Sequence, residues 1–277
     1  MNIAFCLFGL SGSASESQTS FINNNKDERI MEIFNESYTS YKKYIFDENK
    51  ECNIDTYLHT YEHKNIEKVL EVYKPKKYLI EKKFQHTFNR RCNLKDNLNI
   101  GVTHFHNDNN YKLVNAGMSR FNSMFKALNL VDKNINYDYI IILRFDLLFL
   151  KPIKFNELKL KEKDVICPFT MYPEYKNLRK EKEDKPSTYM ALNENLFPWH
   201  EWWTIDFFYI LKKSSLELFL NLCEFGKTQD GSYSIMCKLQ PERFFPKYIE
   251  ANNFNCVKKY KVFFDFMKTR EYLYDRF

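Results

Sequence analysis

An arginine and an aspartate follow directly after the most apolar stretch of the chain. Residues 137–143 read Tyr-Asp-Tyr-Ile-Ile-Ile-Leu and predict a buried strand, and Arg144-Phe145-Asp146 comes next. Strand alternation places Arg144 and Asp146 on one face of the sheet and Phe145 on the other. A carboxylate there can hold Mg²⁺ or Mn²⁺, and the guanidinium fork can bind phosphate. The alternative is a structural Arg–Asp ion pair that closes the strand.

A glycine- and serine-rich turn follows the first apolar run. Residues 9–13 read Gly-Leu-Ser-Gly-Ser, after a run from Asn2 to Phe8 that predicts a buried strand. Exposed backbone N–H groups in such a turn can receive an anion or a nucleobase. The segment is neither G-x-G-x-x-G nor a P-loop, because no Gly-Lys-Ser/Thr follows. By itself it fits an ordinary turn equally well.

Histidines occur in two polar settings. His59, followed by Thr60, ends a predicted strand over 53–59, where either a functional or a hydrogen-bonded structural histidine fits. His104 and His106 stand at alternating positions before Asp108. Because no third ligand stands at a firm spacing, this is a weak zinc signal.

Aromatic rings lie beside carboxylates in the second half of the chain. Residues 199–203 read Trp-His-Glu-Trp-Trp, and Asp206 follows closely. Flat rings and carboxylates suit sugars, which present C–H faces and hydroxyls, but a core tryptophan cluster explains the rings equally. Glu242 follows Pro241 at a predicted helix start, where the helix dipole already accounts for a carboxylate.

The elements that position these residues are predicted strands and helices that alternate along the chain. Predicted strands cover 2–8, 53–59, 77–80, 137–150, 164–167 and 204–212, and predicted helices cover 30–41, 62–73, 112–131 and 214–225. The last helix carries a capping-box pair, Ser214 and Glu217. This alternation predicts an α/β fold with a mostly parallel sheet. In such sheets ligands bind outside the carboxyl ends of the strands, which is where Arg144 falls.

Composition limits the class of protein. The 277 residues make one large domain or two small ones, and 44% hydrophobic content excludes a largely disordered chain. A net charge of +6 is small for a dedicated nucleic-acid binder but suits an anionic small ligand. Seven cysteines without metal spacing predict reduced thiols and a cytoplasmic protein. No apolar run reaches the roughly 20 residues of a transmembrane helix, so none is expected, and peripheral membrane contact stays open.

Together these features resemble a family. The chain is similar to nucleotide-sugar-dependent glycosyltransferases of the GT-A fold, and more narrowly to small polysaccharide- or glycan-building transferases of bacteria and large DNA viruses. The matching segments are 3–13, 54–60, the helix before Tyr137-Asp138, 142–149, 203–207 and 241–242, and they follow the expected order over most of the chain. The Arg-Phe-Asp-Leu block at 144–147 is the most specific of them.

The resemblance implies an architecture. It predicts a GT-A-like, Rossmann-type, mostly parallel central sheet flanked by helices, in a single domain over residues 1–277. Residues 1–150 would form the nucleotide-sugar-binding half and residues 151–277 the acceptor-binding half. The segment 172–198, with a charge run and several prolines, would be a mobile loop that closes over the donor and excludes water.

The resemblance also implies residue roles. The donor nucleotide would be held by Phe8, Gly9, Leu10, Ser11, Gly12, His59, Thr60, Ser119 and Arg144. Asp146 would take the role of the metal-binding carboxylate in the family's Asp-x-Asp motif. Because Arg144 stands at the first position of that motif, a weakly bound Mn²⁺ or Mg²⁺ is expected. Asp206 would be the carboxylate that meets the acceptor, with Glu242 a second candidate, and Arg144 would stabilise the departing diphosphate.

The implied activity is transfer of a hexose or pentose from a nucleotide sugar to a hydroxyl of a glycan or glycoconjugate. A UDP-sugar is the favoured donor, and a GDP-sugar is the alternative. Two other functions stay open. One is nucleic-acid binding through scattered basic and aromatic residues. The other is an inactive sugar-binding module on the same fold, since the first aspartate of the motif is missing.

Overall fold

A central sheet of seven strands organises the molecule. The structure, a computed structural model, describes residues 1–9, 26–82, 121–145, 147–149, 152–167, 208–225, 249, 252–258 and 267–268. The strands of the central sheet are β1 (Asn2–Phe8), β2 (Asn53–Tyr61), β3 (Lys77–Glu81), β4 (Tyr139–Arg144), β6 (Asp164–Cys167), β7 (Phe208–Leu211) and β8 (Asn255–Lys258). Two short strands, β5 (Leu148–Phe149) and β9 (Met267–Lys268), pair in a second sheet. The helices are α1 (Lys26–Tyr41), α2 (Ile66–Tyr73), α3 (121–129) and α4 (Leu216–Phe225).

The strand order is β3-β2-β1-β4-β7-β6-β8. β3, β2, β1 and β4 are parallel neighbours, and β6 and β8 are also a parallel pair. Among the seven described strands of the central sheet, β7 alone runs antiparallel to its neighbours. The predicted α/β class with a mostly parallel sheet is therefore confirmed, and the arrangement is consistent with a GT-A-like, Rossmann-type fold.

The direction of strand addition reverses beside β1. From β1 the chain adds β2 and then β3 on one side, and it returns to add β4 on the other side. In open α/β sheets such a reversal leaves a crevice at the carboxyl ends of the two strands that flank it. Here those strands are β1 and β4, so the crevice lies beside Phe8 and Arg144.

Helices cover both faces of the sheet, which is why the central strands read as continuous apolar runs. Odd-numbered residues of β1, such as Phe5, pack in a cluster that contains residues of α1 and α2. Even-numbered residues, such as Cys6, pack in a cluster that contains residues of α3 and α4. Each large apolar side chain so buried contributes about 1.5–3 kcal/mol. Burial also raises the pKa of the Cys6 thiol, as expected of an unreactive core cysteine.

The structure corrects two sequence predictions. The strand predicted over 137–150 ends at Arg144, and the chain turns at Phe145 before β5 joins the second sheet. The physical reason is that the Tyr41 hydroxyl at the end of α1 binds the Arg144 carbonyl and the Leu147 N–H. The predicted capping box is also wrong, because the Ser214 hydroxyl bonds to Glu162 and the helix begins at Leu216.

Two further strands, β8 and β9, fall where no strand was predicted, because both are very short and lack a clear apolar pattern. The remaining predicted elements within the described ranges are present, with bounds that differ by a few residues. No helix among the described residues is long and apolar enough to cross a membrane.

Candidate functional site at the carboxyl edge of the sheet

Three side chains lie in one row at the carboxyl ends of β2, β1 and β4. Phe8 is paired in register with His59 on one side and with Arg144 on the other, so all three project from the same face. All three are buried, with Arg144 only 7% exposed. Phe8 is thus flanked by an imidazole and a guanidinium at the edge where the crevice opens.

The chain leaves this row through a glycine in the left-handed region. Gly9 has a φ of +102°, a value that L-residues rarely adopt. A Cβ added there would meet nothing within 4 Å. The backbone conformation, and not a lack of space, therefore calls for glycine at this position.

Hydrogen bonds connect the turn at Gly9 to three other elements. The Gly9 N–H donates to Ser123 Oγ of α3 at 2.8 Å, and that oxygen lies 2.6 Å from His59 Nδ1. His59 Nε2 lies 2.8 Å from Glu81 Oε2 of β3, and Lys126 donates to the same carboxylate oxygen. The assignment that satisfies every group has the Ser123 hydroxyl donating to Nδ1 and the His59 Nε2–H donating to Glu81. We call these five residues the His59 network.

The charges of the His59 network follow from burial and from its partners. Burial lowers the pKa of His59, and this outweighs the opposing effect of Glu81. Burial acts to raise the pKa of Glu81, but hydrogen bonds from Lys126 and His59 hold it below its ordinary value. At neutral pH the imidazole is therefore neutral beside an ionised carboxylate and a lysine ammonium.

The guanidinium of Arg144 has a different setting from the imidazole. It is a permanent charge that is almost fully buried at the end of β4. Burying such a charge is costly unless it is paired or binds an anion. Its five N–H donors form a planar fork that can hold a phosphate oxygen in addition to a protein partner.

The structure brings together four of the predicted site residues: Phe8, Gly9, His59 and Arg144. Thr60 follows His59 in β2 and is buried on the opposite face of the sheet. The other predicted residues lie outside the described ranges, namely Leu10, Ser11, Gly12, Ser119, Asp146, Asp206 and Glu242. The same is true of His104 and His106, the tryptophan-rich segment 199–203 and the predicted loop 172–198.

Three members of the His59 network were not foreseen from the sequence. Ser123 and Lys126 lie on the helix that was predicted to carry Ser119, with Ser123 one turn further along. Glu81 lies in β3 at the register position of Tyr61, two residues beyond His59 and on the same face. Pairing the predicted second and third strands in parallel would have revealed Glu81, whereas Ser123 required the packing of α3.

The described residues do not form a metal site by themselves. Within the described part of the chain, no group of three or more His, Cys, Asp or Glu side chains could hold an ion. The Glu81 carboxylate, which lies near the row, is engaged by Lys126 and His59. The expected divalent ion therefore rests on Asp146 and stays a prediction.

The structure defines an α/β protein whose strand order reverses between β1 and β4, with a buried arginine at the carboxyl end of β4. No family model matches the chain, and no curated protein matches it. Solved structures do match it. One is mouse xyloside xylosyltransferase 1 in its apo form, at 11% identity and a TM-score of 0.38, over 93% of this chain and 85% of that chain. This likeness is distant, and no functional assignment follows from it.

Proposed function

We propose that the protein is a glycosyltransferase that moves a hexose or pentose from a nucleotide sugar to a glycan hydroxyl. A UDP-sugar is the favoured donor, with a GDP-sugar as the alternative. The observation that carries the proposal is the buried Arg144, which lies beside Phe8 at the carboxyl-edge crevice between β1 and β4. A permanent cation at that position suits a diphosphate, which is the anionic part of every such donor.

The hydrogen bond at Gly9 indicates which backbone groups after β1 could bind the donor. The Gly9 N–H already donates to Ser123, so it is not free to bind phosphate. Its function is to fix the path of the chain as it leaves β1. We therefore expect the residues that follow, Leu10, Ser11 and Gly12, to contact the nucleotide, with Arg144 facing the diphosphate.

The proposed chemistry breaks the bond between the sugar anomeric carbon and the diphosphate oxygen. Negative charge develops on the departing diphosphate, and a fixed guanidinium stabilises it without reorganisation. The acceptor hydroxyl loses its proton as it attacks, and Asp206 is the proposed base if the reaction inverts the anomeric centre. A divalent ion held by Asp146 would add positive charge beside the same leaving group.

The test is turnover of radiolabelled UDP- and GDP-sugars with a panel of glycan acceptors. Asp146→Ala should abolish transfer while thermal unfolding stays cooperative. The matched control is Asp47→Ala, which removes a carboxylate that pairs with Lys42 on the surface and should leave turnover unchanged. Wild-type activity in Asp146→Ala would show that the metal assignment is wrong.

A second variant separates the acceptor role from donor binding. Asp206→Asn should reduce turnover far more than it reduces affinity for the donor nucleotide, because an amide cannot accept the proton. Equal losses in both would place Asp206 in the donor site instead.

The same assays decide between the proposed function and the alternatives. Any turnover of a nucleotide sugar excludes an inactive sugar-binding module. Binding to DNA or RNA that falls steeply with salt, together with no affinity for nucleotide sugars, would support the nucleic-acid function instead.

A further inference from the structure

A buried phenol is inserted into the turn that follows Arg144. The hydroxyl of Tyr41, the last residue of α1, donates to the Arg144 carbonyl oxygen at 2.6 Å. The same hydroxyl accepts the Leu147 N–H at 2.9 Å. The Tyr41 side chain is fully buried, so these bonds are shielded from water.

The two bonded groups belong to residues three positions apart, Arg144 and Leu147, and the chain turns at Phe145 between them. In an ordinary β-turn the carbonyl of the first residue accepts the N–H of the fourth directly. Here the Tyr41 hydroxyl lies between them, since one hydroxyl can donate once and accept at the same time. The Arg144 carbonyl and the Leu147 N–H are therefore joined through a side chain from another element.

The surroundings hold this phenol in one position. Its ring contacts the ring of Phe149 edge-on, with centroids 5.6 Å apart, and that of Phe5 at 6.4 Å. The preceding residue, Ser40, makes a similar pair of bonds further along: its Oγ accepts the Phe149 N–H at 2.5 Å and donates to the Phe149 carbonyl at 3.0 Å. The end of α1 thus fixes the turn and β5 separately.

We infer that Tyr41 is a positioning residue for the ligand site, which sets the shape of the turn from Arg144 to Leu147 and thereby the binding of a nucleoside diphosphate. The inference rests on the proposed function, because the backbone that Tyr41 binds begins at Arg144, the residue proposed to face the diphosphate. Without the hydroxyl, the Arg144 carbonyl and the Leu147 N–H lose their shared partner or bond to each other directly. Either change alters the backbone between them.

The test is Tyr41→Phe in the full chain, which removes one oxygen atom and keeps the ring. We expect the affinity for UDP or GDP, measured by calorimetry with and without Mn²⁺, to fall at least tenfold. The matched control is Tyr73→Phe. The Tyr73 ring also lies edge-on to Phe145, at 5.8 Å, but its buried hydroxyl makes no hydrogen bond within the described part of the chain. Affinity within twofold of wild type is expected for that control.

A readout that needs no ligand keeps the inference separate from the proposed function. Amide exchange of Leu147 should accelerate in Tyr41→Phe, while exchange of Phe149 should accelerate in Ser40→Ala and not in Tyr41→Phe. Faster exchange of Leu147 together with weaker nucleotide binding supports the inference.

The contrary outcomes are distinct. Wild-type affinity in Tyr41→Phe, with nucleotide binding present in the parent protein, overturns the inference and leaves the proposed function standing. Absence of nucleotide binding by the parent protein overturns the proposed function and, with it, the link from the turn to a ligand. Unchanged exchange at Leu147 overturns the role of Tyr41 in the turn, whatever the protein binds.

Discussion

Each end of the central sheet has a chain of side-chain hydrogen bonds, but the two chains act on different parts of the backbone. At the amino end, Asp55 of β2 accepts the Tyr137 hydroxyl at 2.6 Å and Lys76 Nζ at 2.7 Å, and Tyr137 also bonds Tyr57 at 2.6 Å. These side chains join β2 to the segments that precede β3 and β4. At the carboxyl end the His59 network instead joins β2, β3 and α3 to the turn at Gly9.

We expect the amino-end network only to hold strands and the carboxyl-end network also to shape a ligand site. The amino-end bonds lower the pKa of Asp55 against the effect of burial, and burial and the same bonds raise the pKa of Tyr137. Both groups therefore keep their charge states over a wide pH range. The carboxyl-end network lies beside a backbone with positive φ and a buried guanidinium. We expect variants at the amino end to affect stability alone, and variants at the carboxyl end to affect ligand binding as well.

The largest expected effect is at Arg144. Arg144→Met keeps an apolar stem in the core but removes the charge, and we expect kcat/KM to fall at least 100-fold, which corresponds to about 3 kcal/mol. Steady-state kinetics with the preferred donor measure this loss. Arg144→Lys keeps the charge without the planar fork, so its kcat/KM should lie between those of the wild type and of Arg144→Met. Full activity in Arg144→Met would show that the guanidinium at the carboxyl end of the sheet takes no part in catalysis.

The next effect is at Gly9. Gly9→Ala forces an L-residue to a φ of +102° and should lower the free energy of unfolding by about 1–3 kcal/mol, as measured by urea denaturation. Relief of this strain would break the bond to Ser123 and move the turn, so nucleotide affinity should fall as well. Unchanged affinity in this variant would mean that the Gly9 turn does not shape the site.

At the opposite end, Tyr137→Phe should behave differently. It removes the shared partner of Asp55 and Tyr57, and we expect the free energy of unfolding to fall by about 1–2 kcal/mol. Nucleotide affinity, measured by calorimetry, should stay within twofold of wild type because the row at the carboxyl end is unaffected. A tenfold loss of affinity would contradict the proposed division between the two ends.

The smallest expected effect is a dependence of stability on pH. The folded-state pKa of His59 lies below its ordinary value of 6.5, so the unfolded chain binds more protons and stability falls as pH drops below about 6.5. Glu81, whose pKa is also lowered, adds to the loss at more acidic pH. In His59→Asn the slope of unfolding free energy between pH 7 and pH 5.5 should be shallower than in wild type. Identical slopes would contradict a buried neutral imidazole.

Much of the fold could be predicted from the sequence because the central strands are buried on both faces. The runs at 3–8 and 139–143 are apolar throughout, and that pattern has few alternatives. The end of β4 was not predictable, because the apolar residues after Arg144 continue the same composition. What ends the strand is the Tyr41 hydroxyl, a contact between residues more than one hundred positions apart.

The site was foreseen in part for a similar reason. Phe8 and His59 stand at the ends of predicted strands, and Arg144 directly follows a run of apolar strand residues, so a parallel sheet brings all three close to one edge. Ser123 and Glu81 became apparent only once α3 and β3 were placed, because a serine in a helix and a glutamate after a short strand carry no local signal. Which side chains join the His59 network depends on how α3 and β3 pack, and the periodicity of the sequence does not specify that packing.

The most direct test of the central claim is thermal unfolding of the wild-type protein with a panel of nucleotides and nucleotide sugars, with and without Mn²⁺. A ligand at 100 times its Kd adds about 2.7 kcal/mol, which raises Tm by roughly 5–10 °C in a chain of this length. We predict such a shift for one class of nucleoside diphosphate and its sugar conjugates, larger with Mn²⁺ than without it. No shift with any nucleotide, alongside salt-sensitive binding to DNA or RNA, would contradict the assignment of the carboxyl edge as a nucleotide-sugar site.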